Sequence, residues 1–314
     1  MSKLNKQIIF WGTPQFAIPS LDSLYKLGIL AAVVTQPNRP AGRGKKILAS
    51  PVKSYALEND ITILEPDSLD TNFEVAIKKY LPATFVIVAY GKIIPQRILD
   101  LSELPAINIH PSLLPVLRGP SPIQTAVLSS FKSTGVSLMQ LDKKMDHGPI
   151  LSQIKAKIGS EEDYLGLSER LSQLGADLLA QNIGAYLSGQ LTPLAQDDSQ
   201  ATYCHLIKKE DGQIDFKKTA QQIHNQVRAY NKWPGAQATL DDLELKILET
   251  KISKIDLKPG QSSFDQKNIF VGTSLGSIQI LKLQPAGKKI MLAEEFIRGY
   301  QKYLNKNFIL KTLS

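Results

Sequence analysis

Apolar residues in the first half of the chain come in short unbroken runs: QIIFWG (7–12), LAAVVT (30–35), ITIL (61–64), TFVIVAY (84–90) and AINIH (106–110). Runs of this length, apolar without alternation, predict strands buried on both faces. Between them the spacing predicts helices. FAIPSLDSLYKLG (16–28) closes on Gly28, PVKSYALEND (51–60) starts with proline at a first helical position, and FEVAIKKY spans 73–80. Strand and helix in alternation imply a mostly parallel sheet covered on both sides. VSLMQL (136–141) and ILSQIKAKI (150–158) alternate more, and predict later, partly exposed strands.

Residues 161–188 give the clearest amphipathic helix, with Leu167, Leu171, Leu174, Leu178 and Leu179 spaced by threes and fours along one face and Gly189 at its end. The polar run LTPLAQDDSQAT (191–202) reads as a linker. Beyond about residue 208 the texture changes. One helix, TAQQIHNQVRAY (219–230), precedes the strand candidates AQATL, LELKILETKI, NIFVGT and GSIQILKLQ, separated by glycines at 260, 272, 276 and 287. Short strands with glycine turns fit a small barrel or a sandwich. The expected division is therefore a first domain over 1–190, a linker over 191–207 and a second domain over 208–314.

The length of 314 residues suits two domains, and 43% hydrophobic with 21% charged residues is ordinary for a folded protein. No apolar run approaches the roughly 18 residues of a membrane span. The start, MSKLNKQIIFWG, has only a strand-length apolar stretch, so no signal peptide is expected. The single cysteine, Cys204, excludes an internal disulfide and a cysteine metal cluster, and reads as inert packing in a cytoplasmic protein. Charge adds more. The net charge is +8, and the stretch from Asp211 onward holds 16 Lys or Arg against 10 Asp or Glu. A second basic cluster, Arg39, Arg43, Lys45, Lys46 and Lys53, has no acidic residue within it. Two such patches could form a surface for a polyanion, or both could be solvated surface.

The turn after the first strand lacks G-x-G-x-x-G, and no P-loop pattern occurs, so nothing points to a dinucleotide or a nucleoside triphosphate. INIHPSLLPVLRGPSPIQTAVL (107–128) is more informative. A strand carries Asn108 and His110, two apart and so on one side, into a proline-interrupted loop before a helix-like run. MDHGPI (145–150) puts Asp146 before a glycine-proline turn. An imidazole with a carboxylate can handle a proton or bear developing charge, and an asparagine amide can donate to an oxyanion. The three suit direct attack of an amine on a carbonyl, with no obvious Ser or Cys nucleophile. Each also has a plainer role: a turn cap for Asn108, a satisfied loop histidine for His110, a local hydrogen bond for Asp146. His110, His147 and Asp146 could in composition bind a metal, but show no ligand spacing, and no metal is expected. PNRPAGRGKK (37–46) is a basic, glycine-rich loop suited to phosphate contacts.

Long segments in order, namely FWGTPQFAIPSL, VVTQPNRPAGRGKK, NIHPSLLP with RGPSPIQ, GVSLMQLDKKMDHGPIL, ATYCHLIKKEDGQIDF and VRAYNKWPGAQA, give the chain a resemblance to the folate-dependent formyltransferase family. The resemblance spans nearly the whole chain. It implies an α/β fold, a Rossmann-like formyltransferase domain followed by a smaller OB-like β-barrel domain. It also implies formyl transfer from 10-formyltetrahydrofolate to the methionyl amino group of initiator methionyl-tRNA. By the same resemblance Asn108, His110 and Asp146 are catalytic, and Tyr90, Gly91, Ile93, Ile94, Ser112 and Leu113 lie at the folate. Arg39, Arg43, Lys45 and Lys46 fall on a loop that meets tRNA, and the barrel helps to hold it. Neither DNA nor a membrane is an expected partner, and a monomer is expected. Departures from the family's usual wording are Val116 for a common arginine, Leu117 for a common tryptophan, Pro120-Ser121 for a pair of alanines, and His147 where threonine is frequent. Two other readings stay open: a sugar-nucleotide amine formyltransferase, and a non-catalytic RNA-binding protein on an enzyme scaffold, which would leave the convergence of Asn108, His110 and Asp146 without a cause.

Overall fold

The computed structural model describes residues 7–41, 46–304 and 306–309. The chain forms two compact units. The first comprises Met1–Gly119, Ser133–Lys157 and Ser168–Tyr203, and the second Pro120–Lys132, Ile158–Leu167 and Cys204–Ser314.

In the first half the elements run β1 (Gln7–Gly12), α1 (Ile18–Lys26), β2 (Leu30–Val34), β3 (Arg39–Ala41), β4 (Lys46–Leu48), α2 (Pro51–Glu58), β5 (Ile63–Leu64), α3 (Thr71–Ile77), β6 (Ala83–Val88), α4 (Gln96–Leu99), β7 (Ile107–His110), α5 (Pro122–Leu128), β8 (Ser133–Gln140), β9 (Ile150–Lys157) and α6 (Tyr164–Leu187). A seven-stranded sheet has the order β5-β2-β1-β6-β7-β8-β9. The first five strands are parallel; β8 and β9 are antiparallel additions. The strands expected from unbroken apolar runs are there, and β6 is buried at every residue. Two helix starts are capped by side chains: Ser50 accepts from Lys53 N–H ahead of Pro51, and Asp70 accepts from Asn72 and Phe73 N–H. One expectation fails. β8 is not partly exposed along its length but buried over 134–139, with both of its faces covered there; the exposure falls on β9, at the sheet edge.

The order of strands reverses between β1 and β6, and the carboxyl ends of β1, β2, β6 and β7 share one edge of the sheet. This is where open α/β sheets hold their ligands. Beneath that edge lies an aromatic core: Trp11 packs on Phe73, Phe85 and Tyr90 with ring centroids 5.2–5.7 Å apart. Leu167, Leu171, Leu178 and Leu179 of α6 are buried as predicted, with Leu174 half-buried.

In the second unit α7 (Ala220–Ala229) precedes β10 (Ala236–Leu240), β11 (Leu243–Ser253), β12 (Ser262–Phe264), β13 (Ile269–Gly272), β14 (Ser277–Pro285), β15 (Met291–Leu292), α8 (Ala293–Gly299) and β16 (Phe308–Ile309). The strands form an antiparallel sheet in the order β12-β13-β14-β11-β10-β16, with β15 on β14. Its two ends nearly meet, since Phe308 N–H donates to the Gly260 carbonyl at 2.8 Å. The result is a nearly closed barrel around Ile247, Ile269, Val271, Ile278, Ile280, Leu283 and Phe296. Barrel, not sandwich, is the outcome. No helix among the described residues is long and apolar enough to cross a membrane.

Candidate active site

β7 presents its residues alternately. Ile109 faces Gly175 of α6, where an added Cβ would press within 2.8 Å of the Ile109 side chain. Asn108 and His110 therefore share the opposite face. Asn108 is half-buried, in register with Ile87 of β6 and Met139 of β8. His110, at the carboxyl end of the strand, is 4% exposed.

His110 Nε2 lies 3.0 Å from the Leu117 carbonyl. A carbonyl only accepts, so Nε2 carries a proton, and in the neutral ring Nδ1 is left as the acceptor. Nδ1 lies 3.7 Å from Asp146 Oδ2. At that distance Asp146 does not hydrogen-bond the ring; the Leu117 carbonyl holds it instead. Asp146 Oδ2 is itself held by Gly119 N–H at 2.8 Å. Asp146 has φ 50, in the left-handed region, on the turn before Gly148.

The loop after β7 is tightly bonded. Ser112 Oγ donates to the Val116 carbonyl at 2.6 Å, Ser137 Oγ to the Ser112 carbonyl at 2.7 Å, and Leu114 N–H to Ser137 Oγ at 3.0 Å. Leu117 N–H and Arg118 N–H donate to the hydroxyl and carbonyl of Thr202, each at 2.9 Å. Arg118 is buried, with its guanidinium bonded to Gln196, Asp198 and Tyr203. Burial alone would lower the Arg118 pKa, but the hydrogen bonds to and charges of Asp198 and Tyr203 together outweigh it and raise the pKa above its ordinary value. In return Arg118, followed by His147, holds the Asp198 carboxyl below the usual range. His147 bridges two carboxylates, with Nδ1 2.6 Å from Asp142 and Nε2 3.2 Å from Asp198.

The residues expected at the folate divide. Gly91 and Ile93 are exposed at the carboxyl edge, and Ile94 is half-buried. Tyr90 is 1% exposed: its ring fills the core against Trp11, and its carbonyl is taken by Thr13 Oγ1 at 2.9 Å and Gln36 Nε2 at 2.7 Å. The Tyr90 side chain, two residues beyond β6, is thus a core group and not an open contact. Ser112 is spent on its own loop, and Leu113 packs over Gly135 of β8. Among the expected tRNA contacts, Arg43 and Lys45 lie outside the described residues. The backbones of Arg39 and Lys46 belong to a hairpin, β3 with β4, in the register Arg39↔Leu48 and Ala41↔Lys46, where the sequence suggested only loop. Among the described residues no group of three or more His, Cys, Asp or Glu could hold a metal ion.

Gln196, Asp198, Thr202 and Tyr203 went unread because the run around them is polar enough to pass for a linker. The signal available was a buried arginine in search of acceptors, and that is visible only once Arg118 is placed.

Family models match two stretches: Formyl transferase over residues 6–183, and Formyl transferase, C-terminal domain, over 206–301. The chain is similar to the methionyl-tRNA formyltransferase of Thermodesulfovibrio yellowstonii, 41% identical over 94% of this chain and 96% of that protein. It is also similar to that of Pelobacter propionicus, 40% identical over 94% and 93%. Among solved structures, the N-formyltransferase of Helicobacter canadensis in complex with folinic acid and dTDP-3-aminofucose superposes with a TM-score of 0.67 over 88% of this chain and 98% of that one. At 19% identity that likeness is one of fold.

Proposed function

The chain belongs to the methionyl-tRNA formyltransferase family, and from that premise we propose that it moves the formyl group of 10-formyltetrahydrofolate to the α-amino group of methionine on initiator tRNA. The amine nitrogen attacks the formyl carbon and forms the new C–N bond. The tetrahedral species then breaks its bond to the folate N10, which leaves with a proton, while the amine gives one up. Asn108 donates to the formyl oxygen as charge gathers there, and His110 stabilises the same species. Asp146 takes the amine proton. The pairing that carries this reading is His110 Nδ1 facing Asp146 Oδ2 at 3.7 Å, with each group held from behind by backbone.

Gly91, Ile93 and Ile94 rim the folate side, at the carboxyl edge where the strand order reverses. Arg39, Arg43, Lys45 and Lys46 grip the tRNA end, read by shape and phosphates more than by base pairs. Residues 1–190 do the chemistry and 208–314 help to hold tRNA, in a protein that works as a cytoplasmic monomer. Supplying 10-formyltetrahydrofolate with initiator methionyl-tRNA, elongator methionyl-tRNA or an amino-sugar nucleotide tests the acceptor. Formylation of initiator methionyl-tRNA in clear preference to the other two is expected. Preference for the sugar nucleotide would overturn the assignment.

A further inference from the structure

Two residues, with one between them in the chain, hold the proposed proton-handling pair: the Leu117 carbonyl takes His110 Nε2 at 3.0 Å, and Gly119 N–H donates to Asp146 Oδ2 at 2.8 Å. Resting on the functional reading above, we infer that the residue between them, Arg118, acts with Gln196 as the positioning device that sets the separation of His110 and Asp146.

Arg118 is 1% exposed, so its charge must find acceptors within the protein. Nε and Nη2 both donate to Gln196 Oε1, at 3.0 and 2.8 Å. Nη2 also meets Asp198 Oδ1 at 2.8 Å, and Nη1 meets the Tyr203 hydroxyl at 3.3 Å. The other end of Gln196 is equally committed. Its Nε2 donates to the carbonyls of Asp146 at 3.0 Å and Gly148 at 2.7 Å. One amide therefore splices the segment that holds His110 to the turn that carries Asp146, with its acceptor on the first and both donors on the second. The turn needs such support, because Asp146 sits at φ 50 without being glycine. Neither Arg118 nor Gln196 is assigned a contact with reacting atoms; both act through the groups that have one.

A role in stability alone would require only that Arg118 keep an acceptor. A glutamate at 196 would keep it, and with a full charge, but would have no N–H for the two carbonyls. Gln196→Glu thus separates the two roles, and Gln196, half-buried, is a better place to substitute than Arg118. The experiment is single-turnover formyl transfer from 10-formyltetrahydrofolate to methionyl-tRNA by the full-length wild type, Gln196→Ala, Gln196→Glu and His110→Ala. KM values for both substrates and the pH–rate profile complete it. Both Gln196 variants are expected to lose about 10- to 100-fold in the single-turnover rate, as a misplaced reacting group does. Their KM values should stay at wild type, and the acid limb of the profile should move. Wild-type rate and profile in Gln196→Glu overturn the inference, as does a change confined to KM. With His110→Ala inactive, either result leaves the functional reading standing. A wild type that formylates no acceptor overturns that reading, and the positioning role with it.

Discussion

Tyr90, two residues beyond β6, has its ring against Trp11 and its buried hydroxyl unbonded to any described residue. Burial pushes its pKa up to about 12, against about 10 in an unfolded chain. A folded pKa above the unfolded one gives stability that is whole below pH ~10 and is lost as pH rises through ~12. Thermal melts across that window should therefore show a fall that Tyr90→Phe makes shallower. At neutral pH the same variant should gain up to about 1 kcal/mol by removing an unsatisfied hydroxyl. Identical alkaline slopes for the two proteins would contradict the burial argument. At this scale the sequence told side chains apart well and backbone roles poorly. The two-residue offset of Asn108 and His110 is readable because strand parity is fixed. That the Leu117 carbonyl would hold the ring is not, since every residue has a carbonyl.

Among the elements, β8 was misjudged, and one glycine shows how closely it is packed. A Cβ at Gly135 would collide with the Ile154 carbonyl of β9 and with the Leu113 side chain, which leads into the bonded loop after β7. Gly135→Ala should cost about 1–3 kcal/mol in denaturant unfolding, as overpacking does. It should also slow formyl transfer, because Leu113 cannot yield without moving the loop. A variant as stable and as fast as wild type would disprove the close approach. The parallel strands were legible because double burial leaves unbroken apolar runs. α8 was missed because seven residues, with Phe296 and Ile297 as its main anchors, are too few to show a period. The hairpin of β3 and β4 was missed because arginine, proline and lysine are poor strand signals.

For the molecule as a whole, charge is the property that reaches furthest. With a net charge of +8 and a phosphate-rich acceptor, binding should release counterions and weaken steeply with salt. The KM for methionyl-tRNA is expected to climb sharply between about 50 and 200 mM salt, while the KM for 10-formyltetrahydrofolate changes little. Parallel salt dependence for the two substrates would argue against a phosphate-gripping surface. The change of texture near residue 208 foretold a second core, but not that the stretch before it would be fastened to the loop after β7. Leu117 and Gly119 grip His110 and Asp146 through main-chain atoms, and this bears on how divergence in that loop is to be weighed. Replacing a tryptophan by Leu117, or an arginine by Val116, alters neither the carbonyl nor the amide that does the gripping. What the pair requires there is a course of the chain three residues long. Percent identity across the loop will understate how alike two such enzymes are, and a side-chain scan will pass over the atoms that hold the pair.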